Sequence, residues 1–115
     1  MNSRTLIVAR LKPEGQASEV AGLFAASDTT ELPRVLGVTR RTLFLYRDLY
    51  FHYVEFDGNS VDAMVIARSR ADFRQLSIDL DAHIAPFDPS TWHSPADAMA
   101  SEFYSWEPAE GGNSR

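Results

Sequence analysis

Hydrophobic and polar positions alternate along this chain with two different periods, one typical of strands and the other of amphipathic helices. Short apolar runs bounded by turn residues predict four strands, at 5–11, 38–46, 50–56 and 102–106. Apolar residues three and four positions apart predict three helical segments, at 16–27, 61–65 and 73–84. The short link 47–49 makes the second and third strands an antiparallel hairpin.

These segments follow one another in the order strand, helix, strand, strand, helical region, strand. This order predicts an α+β protein with the ferredoxin-like fold, in which a split βαβ arrangement forms a four-stranded antiparallel sheet with helices on one face. One domain is expected to span residues 1–107. The polar, glycine-containing stretch 108–115 is expected to be a flexible C-terminal tail.

Apolar side chains occupy both faces of the predicted strands. In the first strand Ile7 and Ala9 alternate with Leu6 and Val8, and the second and third strands repeat the pattern. An antiparallel sheet can leave one face in water when that face is polar, and here it is not. The second face is therefore expected to be covered. A second copy would make the protein a homodimer, and a bound apolar molecule would make a pocket.

The amino-acid composition is that of a globular domain and excludes several kinds of site and partner. The chain has 115 residues, of which 44% are hydrophobic and 23% charged, as in an ordinary globular domain. It has no cysteine, which excludes a disulfide framework, a cysteine zinc site and a thiol nucleophile. The net charge of −5 disfavours nucleic acid as a partner. Because the apolar run 5–11 is too short for a signal sequence and nothing reaches transmembrane length, a cytoplasmic protein without a membrane partner is expected.

Sequence motifs for cofactors and metals are absent. The chain contains no glycine-rich dinucleotide or phosphate loop and no HExxH motif. The three histidines, His52, His83 and His93, lack the spacing of metal ligands, and the Trp92-His93 loop is interpreted as a lid or packing element. Metal catalysis therefore has little support from the sequence.

Side chains capable of acid–base chemistry concentrate between residues 27 and 52. His52 lies on the third strand between Phe51 and Tyr53. An ordinary histidine pKa of about 6.5 makes it the candidate general acid or base near neutrality. The alternative is a partly buried histidine held by a structural hydrogen bond.

Arg40 and Arg41 must point to opposite faces of the second strand, because side chains alternate along a strand. The arginine on the apolar face needs a carboxylate or a substrate oxyanion as a partner. A two-residue loop at Arg47-Asp48 would place Arg41 on the face of His52, whereas a shift of one residue would place Arg40 there. The alternative is a purely structural ion pair with Glu31, Asp28 or Glu55.

Asp28 follows the first helix in a polar turn and is by default a turn residue. It becomes a candidate for the site if that turn folds over the face that carries Arg41 and His52. The three side chains would then combine a carboxylate, an oxyanion-binding cation and a group that transfers protons.

Five segments of the chain resemble the small aromatic polyketide cyclases of the tetracenomycin type. These segments are 28–33, 37–41, 48–52, 67–69 and 103–106. They occur in the order of the family pattern and span nearly the whole chain.

The resemblance implies a ferredoxin-like subunit that dimerises into an α+β barrel. It also implies a lyase-type enzyme that acts on a poly-β-ketone made by a type II polyketide synthase, on the way to an antibiotic or a spore pigment. The reaction would be a regiospecific aldol-type ring closure with loss of water and without a cofactor. The family's proposed catalytic groups fall at Asp28, Arg41 and His52. Ser27 stands where the tetracenomycin enzyme has a histidine, and serine cannot titrate near neutrality.

Substrate contacts are expected from Arg40, Ser27 and an apolar cavity lined by Phe44, Tyr46 and Tyr50. The expected partner is the small-molecule polyketide, with an acyl carrier protein as a candidate for presenting it. Two other functions stay open. One is a non-catalytic protein of the same fold that binds and folds the polyketide. The other is a cofactor-independent monooxygenase, by analogy of fold alone.

Overall fold

The computed structural model describes residues 2–93 and 95–108, so all of the predicted tail except Pro108 lies outside the described residues. The described chain contains four strands, four α-helices and one turn of 3-10 helix at Pro95–Ala98. The strands and α-helices are β1 Asn2–Leu11, α1 Ala17–Asp28, α2 Leu32–Leu36, β2 Val38–Tyr46, β3 Leu49–Asp57, α3 Ser60–Arg68, α4 Ala71–Leu80 and β4 Ile84–Pro86. None of the described helices is long and apolar enough to span a membrane.

The four strands form one antiparallel sheet in the order β2-β3-β1-β4. β1 lies between β3 and β4 and pairs with β3 over residues 2–10. Helix α1 packs on the sheet through a buried cluster that contains Ala9, Val20, Phe24 and Tyr50. The α+β, ferredoxin-like fold predicted from the sequence is confirmed.

The β2–β3 hairpin turns through the two-residue loop Arg47-Asp48, as the sequence predicts. Arg47 has a φ of 56°, in the left-handed region that the favoured two-residue hairpin turns require at their first position. Pairing continues from the loop as far as Arg40 opposite Glu55, and a bulge at Thr39 follows. This regular pairing determines which side chains of the two strands share a face.

The last strand is not where the sequence predicts it. Residues 102–106 form no strand, and the fourth strand of the sheet is β4, which pairs with β1 at Ala9, Arg10 and Leu11. Ile84, whose spacing assigned it to the apolar stripe of a helix, begins this strand, because α4 already ends at Leu80.

Beyond β4 the chain returns to the same edge of β1 without forming a strand. Met99 makes a single antiparallel bridge with Ile7, and the N–H of Ala100 donates to the carbonyl of Leu6 at 2.7 Å. Phe103 is then 96% exposed. Residues 102–106, whose aromatic pattern predicted a strand, therefore pair with no strand in the described part of this chain.

A short helix, α2, lies where the sequence predicts only a connection. Pro33 sits in its first turn, and Gly37 ends it with a φ of 78°. A Cβ at Gly37 would lie 3.1 Å from the carbonyl oxygen of Asp57. The glycine thus allows the start of β2 to approach the end of β3 closely.

Candidate active site

A cavity of about 680 Å³ lies between the helix-bearing face of the sheet and the helices. Alternate residues of β1 and β3 form its floor, and mostly apolar side chains of α1, α3 and α4 form its walls. Its polar lining includes Tyr50 and His52 of β3, Ser77 of α4, and Lys12 and His93 from connections. This volume suits a small organic ligand, since such pockets measure about 300–1,000 Å³.

Arg41 lies beside His52 because of the register of the hairpin. Leu43 is opposite His52 and Arg41 is opposite Val54, so the arginine and the histidine lie on the same face of the sheet. Arg41 Nη1 is 2.8 Å from His52 Nε2. The two-residue loop thus places Arg41, and not Arg40, next to the histidine.

Asp28, the last residue of α1, binds the other side of the same guanidinium. Arg41 Nε donates to Asp28 Oδ2 at 3.1 Å, and Arg41 Nη2 donates to Asp28 Oδ1 at 2.9 Å. A carboxylate at the C-terminus of a helix is disfavoured by the helix dipole, and the guanidinium offsets this effect. Asp28, Arg41 and His52 therefore form one hydrogen-bonded row.

Phe24 of α1 supports this hydrogen-bonded row. The centroid of its ring is 4.8 Å from that of His52, and Arg41 Cζ lies 4.8 Å from the same Phe24 centroid. The side chain of Arg41 is only 16% exposed and that of Asp28 is 37% exposed. Of the three members of the row, His52 lines the cavity, whereas Arg41 and Asp28 lie behind it.

His52 is a neutral imidazole in this arrangement. Arginine carries only donors, so His52 Nε2 accepts the hydrogen bond and the ring proton is on Nδ1. Burial, and then the positive charge of Arg41, lowers the pKa of His52 to about 3. This environment therefore shifts the pKa of His52 away from the neutral range expected from the sequence alone. The imidazole offers an N–H donor at Nδ1, which has no hydrogen-bond partner among the described residues.

Arg40, an expected substrate contact, lies on the opposite face of the sheet, where it pairs in register with Glu55. The prediction that Arg40 contacts a ligand in this cavity is therefore wrong for the described chain. Of the carboxylates weighed as partners of the inner arginine, Asp28 is the one that binds it. Glu31 instead accepts from Arg70 Nη2 at 2.9 Å.

Phe44 and Tyr46 also lie on the face away from the cavity. They are opposite Phe51 and Leu49, and they are 55% and 61% exposed. The prediction that they line one cavity with Tyr50 is wrong, because side chains alternate along both strands of the hairpin. Tyr50 does line the cavity and is 6% exposed.

Ser27, the remaining expected contact, lies in the last turn of α1. Its carbonyl accepts from the Thr30 hydroxyl at 2.6 Å, and Ser27 is not part of the cavity lining. The turn chemistry expected of this segment therefore accounts for its position.

The structure adds cavity residues that no sequence motif indicated. Lys12 lines the cavity and its Nζ donates to the carbonyl of Asp81 at 2.6 Å, at the C-terminus of α4. Trp92 and His93, interpreted as a lid or packing element, both line the cavity. Across residues 2–93 and 95–108 no group of three or more His, Cys, Asp or Glu side chains could hold a metal ion.

Comparison with known proteins assigns the chain to a family. The family model described as polyketide synthesis cyclase matches residues 3–107. Tetracenomycin F2 cyclase of Streptomyces glaucescens is 39% identical over 106 residues, which are 92% of this chain and 95% of that protein. Polyketide synthase CurG of Streptomyces cyaneus is 42% identical over 102 residues, covering 89% of this chain and 94% of that one.

Solved structures agree with this assignment. The structure of tetracenomycin F2 cyclase, a type II polyketide cyclase, aligns with a TM-score of 0.83 and 37% identity over 93% of this chain and 99% of that one. SnoaB, a cofactor-independent oxygenase of Streptomyces nogalater, aligns with a TM-score of 0.53 and 22% identity over 71% of this chain and 84% of that one. The second likeness is one of fold alone. From the family match and the two relatives, this chain is a member of the polyketide synthesis cyclase family.

Proposed function

We propose that this protein closes a ring of a poly-β-ketone intermediate by an aldol-type reaction with loss of water and without a cofactor. The observation that carries the proposal is a neutral histidine, His52, in the floor of a largely apolar cavity, with its tautomer set by Arg41 and Asp28. The names of its relatives, a cyclase and a polyketide synthase, support the same substrate class.

The reaction needs a polarised carbonyl more than a strong base. A methylene between two ketones enolises readily, so its carbon becomes a nucleophile with little help. As the carbon–carbon bond forms and the C=O π bond breaks, His52 Nδ1–H donates a hydrogen bond to the carbonyl oxygen. That oxygen takes up the proton released by the nucleophilic carbon. The hydroxyl then leaves as water with a proton from the adjacent carbon, and no oxidant or reductant is needed.

Arg41 and Asp28 act in this proposal as positioning residues. Among the described residues the Arg41 guanidinium donates to His52 and to Asp28, which hold it in place, and Arg41 does not line the cavity. Its bond to Nε2 keeps the ring proton on Nδ1. This role replaces direct oxyanion binding by Arg41, which the sequence alone suggested.

The cavity supplies the second part of the proposed catalysis. A flexible polyketide can react at several pairs of carbons, and its ring size depends on which pair is held together. Enclosing the chain against rigid strands lowers the entropic barrier to one closure, and apolar walls exclude water from the enol.

His52→Gln tests the proposal, with His83→Gln as a matched control outside the cavity. Glutamine still accepts from Arg41, but its amide replaces the imidazole donor in the cavity. With a freshly released poly-β-ketone and chromatographic product analysis, His52→Gln should lower the rate of ring closure by roughly 10- to 1,000-fold. His83→Gln should leave the rate unchanged. Wild-type turnover by folded His52→Gln protein would refute a catalytic role.

A non-catalytic folding protein is the second candidate. The observation that favours it is the low pKa of His52, about 3, which leaves this imidazole unable to exchange protons near neutrality. Under this alternative the ring closes spontaneously and the cavity only selects the fold of the chain. Unchanged product ratios with folded His52→Gln and Arg41→Ala variants would support it.

We propose that the helix-free face of the sheet packs against a second copy. Phe44 and Tyr46 project from this face with most of their surface exposed. Phe103, Tyr104 and Trp106 are also exposed, and the neighbouring Glu102 accepts a hydrogen bond from Arg4 of β1. Such clustered aromatic exposure is typical of an interaction surface.

A further inference from the structure

The strongest feature that the proposed function leaves unused is the hydroxyl of Tyr50. Tyr50 lines the cavity and is 6% exposed, and its hydroxyl has no hydrogen bond to any residue that the structure describes. By contrast, the hydroxyl of Tyr53, on the other face of the same strand, donates to Glu55 Oε2 at 2.6 Å. A buried hydroxyl seldom lacks a partner, and because Tyr50 lines the cavity, a ligand bound there is placed to accept its hydrogen bond.

Tyr50 is suited to donate and not to transfer a proton. Burial raises the pKa of its phenol well above the usual value. The phenol therefore stays protonated throughout the range in which an enzyme works, and it keeps an O–H to offer. A protonated phenol favours a neutral or partly negative oxygen as its partner.

The hydroxyl of Tyr50 and the imidazole of His52 meet different parts of a ligand. They lie two positions apart on one strand, on the same face, and their ring centroids are 6.3 Å apart. At that separation the two rings face separate atoms. A poly-β-ketone carries a carbonyl on every second carbon of its chain, so one molecule offers oxygens to both donors.

We propose that the Tyr50 hydroxyl donates a hydrogen bond to a second carbonyl oxygen of the substrate, remote from the carbonyl at His52, and so sets which carbons of the polyketide meet. This inference rests on the proposed function, which it deepens. It makes Tyr50 a specificity-determining residue. The ligand class it selects is a polycarbonyl chain or a quinone-like ring system, as opposed to a hydrocarbon of the same shape.

The test is a binding measurement that does not depend on turnover. Anthraquinone-2-sulfonate and anthracene-2-sulfonate share their ring framework and their anionic group and differ in the two carbonyl oxygens. Calorimetric titration of the wild-type protein should give tighter binding of the quinone. In Tyr50→Phe the affinity for the quinone should fall roughly three- to fifteen-fold, the worth of one neutral hydrogen bond, while the affinity for the hydrocarbon stays the same.

Controls make each outcome informative. Tyr46→Phe removes a hydroxyl from the opposite face of the sheet and should change neither affinity. Tyr50→Phe should fold, because it removes a hydroxyl that has no partner among residues 2–93 and 95–108, and a thermal melt verifies this. Equal weakening of both ligands, unchanged discrimination, or no binding of the quinone to the wild-type protein would overturn the proposal. The two proposals can fail separately. The proposed function is tested by turnover in His52→Gln, whereas the role of Tyr50 is tested by the preference for the quinone over the hydrocarbon, which His52→Gln should keep.

Discussion

Acidification from about pH 8 to about pH 5 should destabilise this protein through His52 alone by about 2 kcal/mol. In the folded chain the pKa of His52 is lowered from 6.5 to about 3 by burial and by Arg41. In the unfolded chain the imidazole titrates near its ordinary value. Between these two values the unfolded state therefore binds a proton that the folded state does not.

The sign and the size follow from this difference. Stability due to the neutral, buried histidine is fully present above pH 6.5 and is lost as the pH falls towards about 3. Each pH unit inside this window lowers the free energy of unfolding by up to about 1.4 kcal/mol. Integration down to about pH 5 gives the loss of about 2 kcal/mol, since the folded imidazole is still almost unprotonated there.

Three carboxylates with lowered pKa values contribute little in the same interval. The pKa values of Asp72, Asp88 and Glu102 are lowered by their hydrogen bonds, Asp72 and Glu102 through arginine partners and Asp88 through Ser90. Their stabilising contributions are therefore lost only as the pH falls through and below ordinary carboxylate values. They also act equally in the wild type and in a His52 variant, so a difference between the two proteins isolates the histidine.

Urea unfolding at several pH values, for the wild type and for His52→Gln at one protein concentration, measures the effect. The wild type should lose about 2 kcal/mol more than the variant between about pH 8 and about pH 5. Parallel pH profiles of the two proteins would refute the reasoning. They would mean that the folded imidazole accepts a proton and that its hydrogen bond with Arg41 does not persist in solution.

Three further predictions concern the same site and the sheet. Arg41→Ala should slow ring closure by roughly 10- to 100-fold and lower the free energy of unfolding by about 1–2 kcal/mol, because His52 Nε2 loses its hydrogen-bond donor. A loss of stability with unchanged turnover would instead indicate a purely structural ion pair. The pH–rate profile of the wild type should show no limb from His52 near neutrality, and a limb with an apparent pKa of about 6–7 that disappears in His52→Gln would contradict the neutral imidazole. Light scattering should give twice the chain mass of 12.9 kDa, and Phe44→Asp should shift it towards one chain; a wild-type mass of a single chain would exclude the dimer.

The hairpin is the part of the fold and of the site that the sequence predicts best. Apolar runs on either side of Arg47-Asp48 predict two paired strands and a tight loop, and the structure has both. Given that loop, alternation alone places Arg41 with His52. The same alternation assigns Phe44 to the other face, where the structure has it.

Other features depend on tertiary contacts that no local pattern encodes. The three-residue strand β4 is shorter than any periodic signal, and it exists because the edge of β1 at Ala9–Leu11 accepts it. The low pKa of His52 depends on burial under Phe24 and on a guanidinium that arrives from a neighbouring strand. The link from Asp28 to Arg41 depends on where α1 ends over the sheet, which sequence spacing does not specify.

The site is sensitive to the number of residues in the hairpin loop Arg47-Asp48. If the insertion or deletion of one residue there shifted the pairing of β2 by one, the two faces of β2 would be inverted and Arg40 would replace Arg41 on the face that carries His52. A change of two residues would restore the original faces. Substitutions in this exposed turn leave the register, and with it the hydrogen-bonded row, unchanged, whereas a change of length preserves the row only where the loop absorbs the extra or missing residue. Relatives in which a longer loop shifts the register would need to build the row from different positions of the strand.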